Sequence, residues 1–485
     1  MSPDGAATTP AKEAGSLDGG VVAGATAAAP SNGAVAAEVV HEPPIPARAR
    51  IDLLCDDGSF HAIRSASGDG VICGSGRVDG RPVYLWAQNV KHKGGSLGQA
   101  GGATIVATIE AAEKAGAPVV GFLHSGGARL QEGIGALGAY ASIFRATSRA
   151  TVPQVSVICG PCAGGAAYSP SLGTLVMMVG EESQMFLTGP RVIAKVTREV
   201  VTGVELGGHR VHRKTGVSHV EADDDAQASQ LIRQALSYFP GRPGEPLPYR
   251  DPVAPLPGDP SATVPKNQRL VYDVRDVIRH IVDGGEFLEL SKRYAKNMVI
   301  GFGRIDGHPV GVIANQPRYL GGVLDAVSSD KGAWFVNMCD RFGIPLVVLS
   351  DTPGYRPGVR QEREGVLRRG AELLRAFSVA EVPRVTVTMR QAYGGAYIVM
   401  NSRDLGHDLT LAWPGARIGV MGAPQAIEIV NRRDLEAGAD PAELAAAYEE
   451  QHLPVAIAAK AGFIDEIVTP DKTRERIAAH FEARR

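Results

Sequence analysis

A charge excess is missing from this sequence: 50 basic side chains face 52 acidic ones, a formal net charge of −2, so no long-range field draws the chain to nucleic acid or an anionic membrane. No apolar run approaches the roughly 18 residues of a membrane-spanning helix, and the first residues lack the basic-then-apolar order of a secretory signal. A soluble, cytoplasmic protein is expected. Cysteine is scarce: Cys55, Cys73, Cys159, Cys162 and Cys339 are an odd, scattered set without the spacing of a disulfide framework. Cys159 and Cys162 form a CxxC, yet no second Cys or His pair lies near enough to complete a tetrahedral metal site, so reduced thiols and no metal are expected. Also absent are a GxSxG elbow, an HExxH helix and a Walker loop. Adjacent His124 and Ser125 invite a hydrolase reading, but neighbours on a strand end point to opposite faces and cannot pair as base and nucleophile.

Abundant instead are glycine, with 59 residues, and proline, with 32. Their placement divides the chain. Residues 1–46 are dominated by Ala, Gly, Pro, Ser and Thr, with too few bulky apolar groups to offset the entropy of ordering, and a disordered tail is expected. Nine prolines between Pro240 and Pro265 rule out a helix or sheet interior there. That stretch reads as a linker between domains at 47–239 and 266–485, and 44% apolar content over 485 residues suffices for two or three packed cores.

The two halves repeat each other. GSGRVDGRPVYLWAQ from Gly74 matches GFGRIDGHPVGVIAN from Gly301, and Gly94-Gly95 matches Gly321-Gly322 at the same offset of 227. VPQVSVICGPCAGGAAYSP from Val152 matches VPRVTVTMRQAYGGAYIVM from Val382 at 230, and MFLTGPRVIAKV from Met185 matches IGVMGAPQAIEIV from Ile418 at 233. Ordered matches with small insertions mean a duplicated domain. Each copy alternates branched-apolar runs, glycine-rich turns and helical stretches, which is α/β construction. In each, a small-residue pair follows a strand and opens a helix: Gly164-Gly165 and Gly395-Ala396. First-turn amides have no intrahelical acceptor and sit at the positive end of the helix dipole, so bare glycine turns there suit an oxyanion. A Gly-Gly turn alone is commonly structural, but two at matching positions suit a site that stabilises two developing negative charges.

HSGGARLQEG from His124, AGGAAYSP from Ala163, MFLTGP from Met185, DTPGYRPG from Asp351, YGGAYIVMNSR from Tyr393 and AWPGARIGVMGA from Ala412 together resemble the biotin-dependent acyl-CoA carboxyltransferases over about residues 50 to 480. The resemblance implies two tandem crotonase-like domains, each a ββα superhelix, with the N-domain of one subunit facing the C-domain of another and dimers assembled into a hexamer. It implies carboxybiotin, carried by a biotin carboxylase/biotin carrier α-subunit, as carboxyl donor. The acceptor is then a short acyl-CoA, acetyl-CoA or propionyl-CoA, giving malonyl-CoA or methylmalonyl-CoA without a protein base. On the same basis Gly395 and Ala396 hold the thioester enolate oxygen, Gly164 and Gly165 the biotin ureido oxygen, and Ile398 lines the acyl pocket unless it is a plain core residue. Gly127, Ala128, Arg129, Tyr168 and Tyr397 are further substrate contacts on this reading. Lys91, Lys93 and Arg129 are candidates for CoA phosphates or else ordinary surface.

The chain departs from the family pattern at Arg356, Arg360 and Arg363, in a loop that the family places near biotin, although arginines in exposed loops are usually just solvated. Gly332 and Trp334 are also unusual, and the four-cysteine zinc ribbon of the separate bacterial β-chain is absent. Three rivals stay open: a biotin-dependent decarboxylase or transcarboxylase; a crotonase-like hydratase or thioesterase, which needs a Glu or Asp base beside an oxyanion hole; and a non-catalytic CoA-binding scaffold.

Overall fold

The computed structural model describes residues 46–485 except 66, 67, 269 and 407. The tail expected over residues 1–46 lies, Pro46 apart, outside the described residues. Among these, the strands form two eight-stranded sheets. The first contains β1 (His61–Ile63), β2 (Val71–Val78), β3 (Arg81–Gln88), β4 (Val119–Ser125), β5 (Gln154–Ala163), β6 (Leu175–Val179), β7 (Gln184–Phe186) and β8 (Val220–Ala222). The second contains β9 (Leu288–Leu290), β10 (Met298–Ile305), β11 (His308–Asn315), β12 (Leu346–Thr352), β13 (Arg384–Tyr393), β14 (Leu409–Ala412), β15 (Arg417–Gly419) and β16 (Glu466–Ile467).

Both sheets follow one plan. The order β1-β2-β3-β4-β5-β6-β8, with β7 beside β5, matches β9-β10-β11-β12-β13-β14-β16, with β15 beside β13. The first three strands are antiparallel and the rest parallel. The hairpins explain why Asp-Gly recurs: Asp79 and Gly80 take φ of 49° and 75°, Asp306 and Gly307 take 50° and 79°, and a two-residue turn that matches strand twist needs both central residues at positive φ. Each turn is tied down alike. Asp56 accepts from the Asp79 and Gly80 amides at 3.0 and 2.8 Å, and Asp283 from those of Asp306 and Gly307 at 3.1 and 2.7 Å. Arg233 and Arg474 close the two copies with matching ion pairs.

Strand alternation sorts the core. Val83, Leu85 and Ala87 of β3 join Leu346 and Val348 of β12 and Phe302 of β10 in one cluster that spans both sheets. Trp86 faces a separate first-half cluster, and Val347 and Leu349 a second-half one. Phe239 lies edge-on to Phe302 and Phe342 across the shared core. Among the described residues between 237 and 273 no helix or strand forms, yet the chain is held there: the Arg304 guanidinium donates to the carbonyls of Pro248 and Ser237.

The DKGAWFV segment also finds its reason. Trp334 stacks on His219 of the first half with ring centroids 4.2 Å apart. A Cβ at Gly332 would sit 2.9 Å from Met298 Sδ and 3.0 Å from Leu373 Cδ1, so glycine permits the close helix packing. Lys331 threads between them and donates to the carbonyls of Ser291, Tyr294 and Met298.

Candidate active site

The longest strand of each half, β5 or β13, ends in a glycine that turns the chain into a helix. Gly164 has φ 59° and Gly394 φ 58°, a conformation that only glycine takes without strain. The helices Gly165–Ser171 and Gly394–Val399 follow. This agrees with the offset of 230 between the two segments and corrects by one residue which small pairs correspond. Gly164 corresponds to Gly394, so Gly395-Ala396 is matched by Gly165-Ala166, not by Gly164-Gly165. Gly164 also leaves the donor set, because its N–H donates to the Phe186 carbonyl at 2.9 Å. Gly165, Ala166, Gly395 and Ala396 all lie in a first helical turn, where amides have no acceptor four residues back.

The two turns are built differently underneath. A Cβ at Gly165 would fall 2.5 Å from the Tyr140 ring, whereas one at Gly395 would stand 3.8 Å from Tyr355. Gly165→Ala is therefore expected to cost about 1–3 kcal/mol of stability through overpacking, while Gly395→Ala leaves the denaturation midpoint in place; equal midpoints for the two variants would contradict this geometry.

Gly395 opens into a cleft of about 640 Å³ walled mainly by apolar side chains, among them Ile398, Leu405, Val420 and Phe463. Ile398 is 46% exposed, so it is a wall residue and not core. Tyr397 lines the same cleft; its buried hydroxyl has no partner, and burial pushes the phenol up to about 12. Tyr168 lines a second cleft, of about 450 Å³, with Met185, Phe186 and Leu187, and its ring meets Phe144 edge-on.

The HSGGAR loop is committed internally. The Gly127 amide donates to Ser125 Oγ and its carbonyl accepts from Leu97, while Ala128 forms a parallel bridge with Leu97. Arg129, expected as a CoA-phosphate contact or ordinary surface, is corrected: it is 5% exposed and spends its guanidinium on Glu132 at 2.8 Å and the Ser96 carbonyl at 2.7 Å. Lys91 and Lys93 are exposed on the turn beside it. In the arginine loop Arg360 pairs with Glu364 at 2.6 Å, and Arg363 is exposed.

Side-chain nucleophiles are weak here. All five cysteines are buried and unpaired, and burial pushes the Cys159 thiol up to about 12. Ser125 Oγ is bonded to the Gly95 carbonyl. Among the described residues no three His, Cys, Asp or Glu side chains gather as a metal site, and no helix is long and apolar enough to cross a membrane. The chemistry on offer is backbone amide donation beside apolar clefts.

A match to the carboxyl transferase domain family covers residues 46–485. The chain belongs to the carboxyl transferase family. Among similar carboxyl transferases is the propionyl-CoA carboxylase, carboxyltransferase subunit, of Haloferax mediterranei, 44% identical over 459 residues and 89% of each chain. The methylmalonyl-CoA carboxyltransferase 12S subunit of Propionibacterium freudenreichii subsp. shermanii is 44% identical over 424 residues, 85% of this chain and 80% of that one. The crystal structure of transcarboxylase 12S, a hexamer with methylmalonyl-coenzyme A and methylmalonic acid bound, superposes with a TM-score of 0.87 at 41% identity, covering 90% and 89% of the two chains. The duplicated crotonase-like fold of a carboxyl transferase is thus present in both halves.

Sequence reasoning missed several residues of the site. Ala166 was passed over although the offset of 230 sets it opposite Ala396. Leu405, Val420, His452 and Phe463 reach the cleft from separate segments, and nothing in their local sequence marks them. Asp404 also lines the cleft, a carboxylate close in space that lies nine positions from Gly395 in sequence.

Proposed function

We propose that this chain moves a carboxyl group from a biotin-bearing carrier to the α-carbon of acetyl-CoA or propionyl-CoA, giving malonyl-CoA or methylmalonyl-CoA. The observation that carries the reading is the repeated strand-end glycine with first-turn amides beyond it, one copy beside each apolar cleft. Relatives whose names specify propionyl-CoA and methylmalonyl-CoA support it.

Removing the α-proton of a thioester throws negative charge onto its oxygen, and the amides of Gly395 and Ala396 are the donors assigned to that oxygen. Ile398, Leu405 and Phe463 keep water from the acyl chain, while exposed Lys91 and Lys93 are assigned to the CoA phosphates. When bound, carboxylated biotin would supply the carboxyl group and take up the α-proton in exchange, and its ureido oxygen is assigned to Gly165 and Ala166. The residues fit that group: Gly165 leaves a bare backbone where Tyr140 allows no Cβ, beside an apolar cleft. Each aimed donor in such a hole lowers the barrier by about 3 kcal/mol.

The partner implied is a biotin carboxylase and carrier α-subunit, and the assembly a homohexamer. Exposed apolar side chains, Leu130 at 88%, Ile134 at 83% and Leu367 at 81%, are available for such an assembly to cover. The assay is reconstitution with a biotinylated α-subunit, bicarbonate and ATP, offering acetyl-, propionyl- and butyryl-CoA. Carboxylated products are expected; hydration of crotonyl-CoA with no carboxylation under any pairing would move the assignment to a hydratase, with Asp404 as its base. Ile398→Ala is expected to raise butyryl-CoA use relative to acetyl-CoA about 10-fold, the scale of one or two methylenes in an apolar pocket, read as a ratio of kcat/KM values.

A further inference from the structure

The duplication lets each residue be read against its counterpart, and one pair has exchanged size. Leu97 bridges Ala128 in the first half as Leu324 bridges Tyr355 in the second, so Ala128 and Tyr355 occupy one position. The helices Ile134–Arg149 and Val366–Val379 end at Ala150 and Ala380 with the same φ of −64° and ψ of 133°. Counting back from those ends, Tyr140 and Gly370 occupy another single position.

The first half therefore has Ala then Tyr, and the second Tyr then Gly. The exchange conserves one volume. A Cβ at Gly165 would strike the Tyr140 ring at 2.5 Å; the group nearest a Cβ at Gly395 is the Tyr355 ring at 3.8 Å; and a Cβ at Gly370 would strike Tyr355 Oη at 2.8 Å. In both halves a phenol lies beneath the amide-bearing turn, delivered by a helix in one and by a loop in the other. That loop is bracketed by Gly354 and Gly358, at φ of 134° and 127°, so the second ring hangs on backbone that only glycine allows. The Tyr355 backbone is anchored on either side, Leu324 donating to the Gly354 carbonyl and Arg356 to the Leu324 carbonyl at 3.0 and 2.7 Å.

We infer that Tyr355 is a positioning residue: its ring is the floor that holds the Gly395 turn in place, as Tyr140 holds that of Gly165. This rests on the carboxyl-transfer reading for its effect on rate. It acts through the ring face and not the hydroxyl.

Three variants in the full chain, reconstituted with the α-subunit, test it. Tyr355→Ala is expected to lower kcat about 10- to 100-fold, the cost of a misplaced catalytic group, with KM for the acyl-CoA little changed. Tyr355→Phe recovers most of kcat. The double variant Tyr355→Ala with Gly370→Tyr, which installs the first-half arrangement, recovers it too. A purely structural role would not produce recovery from a different helix position. Wild-type kcat in Tyr355→Ala, or equal loss in Tyr355→Phe, overturns the inference. Hydrogen exchange of the peptide spanning residues 391–400 is read in parallel, without turnover. Faster exchange in Tyr355→Ala, restored in the double variant, supports the floor even if the wild type carboxylates nothing; unchanged exchange rejects it. Absence of wild-type carboxylation with every α-subunit counts instead against the function itself.

Discussion

Gly395→Pro is expected to lower kcat about 100- to 1,000-fold while the fold survives, the loss seen when one oxyanion donor is deleted. The substitution removes an N–H and puts the ring Cδ in its place. Position 395 is in the first helical turn, where proline is tolerated because the amide has no helical partner, and the added Cβ has 3.8 Å of clearance. Gly395→Ala is the control, since it adds the same carbon and keeps the donor. If the two variants lose activity equally, steric change and not the amide is responsible. A drop in both kcat and kcat/KM for the acyl-CoA would identify an interaction made in the transition state only.

The second large effect is on stability. Arg390→Met is expected to cost about 3–5 kcal/mol, because it leaves a carboxylate buried without its cation. That carboxylate is Asp351, 0% exposed, which forms an ion pair with Arg390, 3.1 Å from its Nε, and accepts from Tyr272 Oη at 2.8 Å. Arg390 also donates to the Leu270 carbonyl at 2.7 Å, so the cluster ties the end of the proline-rich stretch to β12 and β13. Adding Asp351→Asn to Arg390→Met should recover part of the loss in urea denaturation; a further loss would mean that the charge was not the burden.

The same group sets a pH slope. Burial raises Asp351 from 3.8 to about 6, with Arg390 and Tyr272 pulling it partly back. The folded state then holds this proton more tightly than the unfolded chain. Its contribution to stability is full below about pH 3.8 and lost as pH rises through about 6. Asp351→Asn should flatten that part of the stability profile.

The fold was legible because its duplication is written in residues with strict backbone demands. Asp-Gly at positive φ, and Gly94-Gly95 with Gly321-Gly322, leave few alternatives: a Cβ at Gly95 would lie 2.1 Å from the His124 carbonyl oxygen, and one at Gly322 2.6 Å from that of Asp351. The site was legible only to within a residue. Gly-Gly and Gly-Ala look interchangeable as small pairs; the offset of 230 sets Gly164 opposite Gly394, and their positive φ shows that these glycines turn the chain while the next residues present their amides. Arg129 was misjudged although a signal existed, since Glu132 three residues on is a ready partner across one turn. No such signal marks Leu405, Val420 and Phe463, which share a wall only after tertiary folding, or Lys331, whose carbonyl partners lie some 33 to 40 positions back.

The most direct test of two-hole carboxyl transfer uses the purified chain alone, running backwards. Methylmalonyl-CoA or malonyl-CoA is incubated with free biotin, and loss of the carboxyl group is followed by mass spectrometry. Decarboxylation that depends on biotin, and that disappears in Gly395→Pro but not in Gly395→Ala, is the expected result. Decarboxylation at the same rate without biotin, or in Gly395→Pro, would contradict a backbone site that serves both reactants.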